Sequence, residues 1–230
     1  MMEAVRNGAW AKSGYTAKDY VQDGLIAMWD GIENAGWGVH DTTIVGWRNL
    51  VGNGDIALSY PHEWDGKSLI NYGDSVIYSL IGFDIGSVLR TGNYALQVVY
   101  KSFVKGYKPI IRNYAWGNGS IWNIEQAGES IVFWDSLKHN NLGIVPIENR
   151  VAMTLRSANG YWTLKGLGLD DGRENSIESS GKVDTSQYKT TAYTIGHQAE
   201  YNFIRLYDRA LTDDEIAANY AIDKARFNLP

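Results

Sequence analysis

Residues 204–216 read I-R-L-Y-D-R-A-L-T-D-D-E-I, and this run decides the fold. Ile204 and Leu206 fall on one face of an extended segment, with Arg205 and Tyr207 on the other. Asp208 and Arg209 break the alternation, and a helix start follows. Thr212 stands at the N-cap with Glu215 three residues on, the spacing of a capping box. Leu211 before the cap and Ile216 at the fourth helical position form a hydrophobic staple. Asp213 and Asp214 put negative charge on the first turn, where the helix dipole favours it. Such a cap contributes about 1 kcal/mol. The run therefore predicts a closing strand, a corner and a capped helix.

This motif resembles the closing segment of laminin-G-like domains of the concanavalin A-like lectin/glucanase superfamily. Two further stretches are similar to that family. Leu25-Ile-Ala-Met-Trp29 follows an Asp23-Gly24 turn and has the form of its first strand. Trp47-Arg-Asn-Leu50 with Gly52-Asn-Gly-Asp55 has the form of the segment after it, with Asn49 where the family has Asp. The resemblance implies an all-β fold: a two-sheet antiparallel jelly-roll sandwich with a short C-terminal α-helix. It also implies that the first and last strands meet. It does not imply a ligand, because a structural corner is not a site.

Length and composition agree with one sandwich domain. Sandwiches of 200–250 residues are ordinary, and 44% of the 230 residues are hydrophobic. Residues 1–22 read as an N-terminal lead-in, or else an attachment tail, with one helical turn at Thr16–Asp19. Residues 23–230 read as the jelly-roll domain. The formal net charge is −5 and the basic residues are not clustered, which argues against a nucleic-acid partner. No apolar run is long enough to span a bilayer, so no membrane insertion is expected. Cysteine is absent, which removes disulfides and thiolate metal sites. Residues 1–12 lack the apolar core of a secretory signal.

Alternation predicts further strands. Tyr94–Tyr100 reads as a central strand, with Pro109-Ile-Ile111 as its antiparallel neighbour. Ile131–Trp134 reads as a buried strand and His139-Asn-Asn-Leu142 as a turn. Residues 151–165 read as a hairpin about Asn159-Gly160. Residues 166–191 read as a polar, acidic loop region. Ile216, Tyr220 and Phe227 form the expected packed side of the terminal helix.

Three chemistries compete for the loops. Sugars present apolar C–H faces that stack on aromatic rings, and their hydroxyls need amide or carboxylate partners. Tyr114, Trp116, Asn118 and Trp122 offer that combination, and Trp37, His40 and Asp41 offer a second. The same rings would also serve to fill the core or cover its ends. Calcium is the cofactor candidate, with Asp170, Asp171 and Glu174 as hard oxygen ligands. A solvated acidic loop explains the same residues. Glycoside hydrolysis would need carboxylates at alternate positions of one strand, roughly 7 Å apart. Glu63-Trp-Asp65 supplies two, but Lys67 occupies the third position. No G-x-S-x-G nucleophile elbow is present.

The expectation is a non-catalytic carbohydrate-binding or adhesion module whose partner is a glycan or surface polysaccharide. The alternative is a structural component of a bacterial surface or phage particle, binding other copies or virion and surface proteins. Both place the protein at a bacterial cell surface or on a virion.

Overall fold

The computed structural model describes residues 14–58, 61–73, 78–80, 83–113, 122–128, 130–135, 138–144, 149–169, 176–182, 193–196 and 198–229. A single 3-10 turn, Ala17–Asp19, opens the described chain and is closed by a capping box from Thr16 to Asp19. The first strands are β1 (Leu25–Asp30), β2 (Gly46–Trp47), β3 (Ile56–Ala57), β4 (His62–Trp64), β5 (Leu69–Asn71) and β6 (Tyr78–Leu80). A short helix α1 (Ile85–Arg90) precedes β7 (Tyr94–Ser102), β8 (Tyr107–Asn113), β9 (Trp122–Ala127), β10 (Ser130–Asp135) and β11 (Lys138–Ile144). Then come β12 (Arg150–Ala158), β13 (Tyr161–Gly168), β14 (Ser176–Lys182), β15 (Tyr193–Ile195), β16 (Ala199–Tyr207) and helix α2 (Asp213–Phe227).

These strands form two antiparallel sheets. One has the order β14-β13-β12-β7-β16-β5-β4, with β1 also on β16. The other has the order β11-β10-β9-β8-β15-β6-β3-β2. Alternation puts Leu96, Val98, Met153, Leu155, Leu164, Ile204 and Leu206 on the inner face of the first sheet. Ile111, Ile124, Ile131 and Phe133 meet them from the second sheet in one core. Phe133 stands edge-on to Trp122 and Trp162, with ring centroids 5.8 and 4.9 Å away. The all-β sandwich with a C-terminal helix is therefore the fold.

The closing motif behaves as its residues dictate. β16 lies beside β7 along its whole length. Its other edge is shared in series: Ala199–Tyr201 pair with β5, and Phe203–Tyr207 pair with β1. Leu25 opposes Tyr207 and Asp30 opposes Phe203. At the corner, Arg209 binds the Asp23 carboxylate at 2.8 Å and the Glu215 carboxylate at 2.6 and 2.9 Å. Thr212 caps α2 through the Glu215 N–H, and Glu215 accepts from the Thr212 N–H at 2.8 Å. Leu211 and Ile216 pack in a small second core with Tyr20, Leu25, Met28 and Tyr207.

Three expectations are corrected. Pro109–Ile111 belongs to β8 in the opposite sheet, and the neighbours of β7 are β12 and β16. The few residues between β7 and β8 suffice to cross the roughly 10 Å between packed sheets. His139–Leu142 lies within strand β11 rather than in a turn. Ser176–Lys182 is an edge strand inside the expected loop region. The hairpin stands: Asn159 and Gly160 have φ of 53° and 77°, the left-handed pair that a two-residue turn requires.

Candidate functional site

The packed side of α2 is largely polar, unlike the apolar side expected from Ile216, Tyr220 and Phe227. Phe227 is buried, and so are Asn219, Ile222, Asp223 and Arg226, while Ile216 and Tyr220 are only partly covered. Positions 219, 223 and 226 share a helix face by the i, i+4, i+7 rule, and each meets a polar partner from the sheet or lead-in. Arg205 on the outer face of β16 is wholly buried and grips Asp223 with two bonds of 2.8 and 2.7 Å. Its guanidinium carbon lies 4.0 Å from the Tyr20 ring centre and 3.9 Å from that of Phe203. Arg226 binds Asp30 at 2.6 and 3.2 Å, Glu33 at 2.8 Å and the Tyr20 hydroxyl at 3.1 Å. Burial works most strongly against the charge on Arg226, but Asp30, Tyr20 and the hydrogen bonds to both together hold the guanidinium above its ordinary range. The alternating Arg205/Tyr207 face was the sequence signal for this network, and its partners are distant in sequence.

The network orders the loop that leaves β1. Asp30 turns the chain by accepting the N–H groups of Ile32 and Glu33 at 2.9 and 3.0 Å. One Glu33 oxygen accepts the Ala17 N–H and Arg226, and the other accepts the Gly38 N–H, each at 2.8 Å. Asn34 donates to the Asp41 carbonyl at 2.9 Å and accepts the Asp41 N–H at 2.8 Å, closing the loop at its base. Gly36 and Gly38, with φ of 139° and 69°, flank Trp37. Trp37 is thereby presented on a turn fixed from both sides, 38% exposed, with the Lys18 ammonium 5.5 Å from its ring centre.

His40 and Asp41 share this loop but are already engaged. His40 Nδ1 lies 3.0 Å from the Ile32 carbonyl, and its ring stands edge-on to Trp64. Asp41 accepts the hydroxyl and N–H of Thr43 at 2.6 and 2.8 Å, and these bonds hold its carboxyl below the ordinary range. Thr43 in turn lines an open cleft of about 810 Å³ with Arg48, Asn49, Asn53 and Asp55. Arg48 pairs with Asp55, and its N–H donates to the Asn34 carbonyl at 3.0 Å, joining cleft and loop. Asn49 accepts the Met28 N–H at 3.0 Å and donates to the Asn53 carbonyl at 2.9 Å. The second bond is one that an aspartate could not make. Val39, Val45 and Val51 are exposed in the same loops. Sequence reasoning found Trp37 but missed the cleft that hydrogen bonds tie to its loop through Thr43 and Arg48.

The other candidates fare differently. Trp122 is corrected from a surface ring to a core one: it is 1% exposed and its indole N–H donates to the Tyr94 hydroxyl at 3.3 Å. With its polar edge satisfied, the whole ring can be buried. Tyr114, Trp116 and Asn118 lie outside the described residues, as do Asp170, Asp171 and Glu174. Among the described residues, no group of three or more His, Cys, Asp or Glu is arranged to hold a metal. Glu63 is exposed on the edge strand β4, whereas Asp65 caps a turn through the Lys67 and Ser68 N–H groups at 2.9 and 2.7 Å. A second, mainly apolar groove of about 350 Å³ lies between α2 and the outer face of β12 and β13.

No protein-family model matches the chain, and no curated protein sequence is similar to it. Solved structures do match in shape. A Trypanosoma rangeli sialidase in complex with sialic acid is 12% identical with a TM-score of 0.61, over 87% of this chain and 33% of that one. The binding domain of botulinum neurotoxin DC in complex with SialylT is 12% identical with a TM-score of 0.53, over 88% of this chain and 52% of that one. The chain thus spans about a third of the sialidase and about half of the toxin domain. These likenesses show a lectin-like β-sandwich fold.

Proposed function

We propose that this chain is a non-catalytic glycan-binding module of the laminin-G-like type, with its site at the loops of residues 31–57. The observation that carries the reading is Trp37: an exposed indole on a fixed turn, in a loop hydrogen-bonded to a cleft of amide, guanidinium and carboxylate groups. The ring offers a stacking face for a sugar, and Asn53 with the partly exposed Arg48–Asp55 pair offers donors and acceptors for hydroxyls. A fixed loop needs little ordering on binding, which favours affinity. The sialic-acid and SialylT complexes named for the structural neighbours are in keeping with a glycan partner. A lone sugar contact at millimolar affinity is worth about −4 kcal/mol, so display of several copies would raise the avidity.

The test is a glycan array probed with multimerised protein, with Trp37→Ala alongside. Binding by the parent and its loss in the variant support the reading. Absence of any bound glycan, or equal binding by the variant, overturns it. Reducing-sugar assays on each bound glycan test the non-catalytic part, with Glu63→Gln as control. Release by the parent that the variant loses would make the protein a hydrolase.

A second reading draws on the exposed Val39, Val45 and Val51 of the same loops. A surface of this kind also suits a protein partner, including other copies of the chain or components of a bacterial surface or virion. Oligomeric state in solution separates the two: assembly that Val45→Ser abolishes favours the structural role.

A further inference from the structure

We propose that Glu33 is the positioning residue of the Trp37 loop, and that the strap formed by residues 14–22 sets the order of that loop through it. The consequence for ligand binding rests on the glycan-binding reading; the coupling itself rests on the contacts alone.

Glu33 is a buried carboxylate, and a buried carboxylate holds one geometry only while its oxygens are satisfied. Its donors come from three separate parts of the molecule. Ala17 belongs to the strap, Arg226 to the last turn of α2, and Gly38 to the loop, next to Trp37. The strap also supplies the shield over this carboxylate. Ala17 and Tyr20 are buried, the Tyr20 hydroxyl accepts from Arg226, and the Tyr20 ring lies against Arg205. Lys18 reaches across to the Trp37 ring. The strap is itself a preformed unit: Asp19 accepts the Thr16 N–H at 2.6 Å, and Thr16 accepts the Lys18 N–H at 3.2 Å.

Release of the strap removes one donor from Glu33 and opens its surroundings to water. The carboxylate is then free to turn toward Arg226 and solvent, and the Gly38 N–H loses its acceptor. Trp37 would pass from a fixed turn to a mobile one, and binding would weaken by the cost of reordering it. Occupancy of the strap by a neighbouring domain or partner would reach the loop by this route.

Two variants isolate the coupling. Ala17→Pro deletes the N–H by which the strap meets Glu33. Proline suits the first position of a helical turn, and Thr16 before it already has the extended backbone that a pre-proline residue needs, with φ −119° and ψ 172°. Thr16→Ala loosens the same turn from the exposed side and leaves the core intact. The measurement is amide hydrogen exchange by NMR on the full chain, which reads local opening residue by residue. Expected is at least a tenfold faster exchange of the Gly38 amide in Ala17→Pro and a smaller rise in Thr16→Ala, with β7 and β12 amides unchanged. If the Lys18 amide speeds up in Thr16→Ala while Gly38 keeps its parental rate, the coupling is wrong. Should Ala17→Pro loosen the whole sandwich, the β7 amides report it and Thr16→Ala decides. Glycan binding is then compared: loss in Trp37→Ala with weakening in Ala17→Pro supports regulation of the site. An inert Trp37→Ala overturns the glycan reading while leaving the Gly38 result to judge the coupling.

Discussion

The pair between Arg205 and Asp223 is the most exacting test of how α2 is held. Both side chains are essentially out of water, and two N–H···O bonds of 2.7–2.8 Å join them. Replacing Asp223 by leucine strands a guanidinium between the rings of Tyr20 and Phe203 with its two amino groups unsatisfied. Breaking a buried pair from one side costs about 3–5 kcal/mol. For a chain of this size each kcal/mol shifts Tm by about 2–4 °C, so Asp223→Leu should lower it by roughly 6–20 °C. The double variant Arg205→Met/Asp223→Leu should recover most of that loss. An apolar pair of similar volume escapes the desolvation penalty, and a thioether can still lie against the two rings. Urea titration of the parent, both single variants and the double gives the coupling energy directly, provided the m-values agree. A single-variant cost below about 1 kcal/mol would place the pair among solvent-screened bridges. A double variant no better than Asp223→Leu would mean that the helix is docked by something other than charge matching.

Three further outcomes are expected. Trp122→Ala should cost about 3–5 kcal/mol by urea titration, as removal of a core ring does, and should leave glycan binding by folded protein unchanged; a surface ring would give the reverse. Deleting residues 1–22 should destabilise the domain by at least about 2 kcal/mol, because buried Tyr20 leaves the second core; equal stability would make the strap a mere lead-in. Glu215 is held down to about 2 by its bonds with Arg209 and then Thr212. A depressed carboxyl contributes stability above its ordinary value of 4.5 and loses it as pH falls toward the folded value. Tm should therefore drop between pH 4.5 and 2, and Glu215→Gln should lack that part of the drop.

Much of the fold was legible because local and tertiary signals agree at its two ends. Thr212 and Glu215 cap α2 by side-chain chemistry that needs no distant partner. Asn159-Gly160 fixes its hairpin in the same way. Pro109–Ile111 was recognisable as a strand but not assignable to a sheet, since alternation carries no information about which neighbour a strand chooses. β11 and β14 were missed because edge strands carry polar residues that also mark turns. At the site, Trp37 was legible as an aromatic between glycines. Trp122 stands between Ile121 and Asn123, and only Tyr94, 28 residues away, shows how its indole N–H is satisfied when the ring is buried. Glu33 left no trace, because its three donors come from positions 17, 38 and 226.

The register of β1 on β16 has a mechanical side. The chain enters β1 at Leu25 and leaves β16 at Tyr207, and these two residues oppose each other on one rung. Tension applied between the two exits therefore loads the ladder at that rung and would peel it bond by bond. Shear, which would load all rungs together, does not arise in this geometry. Just outside that rung sits Arg209, whose one guanidinium holds Asp23 on the entering segment and Glu215 on the departing helix. A partly exposed ion pair thus stands as a latch at the point where a pulled sandwich would begin to open.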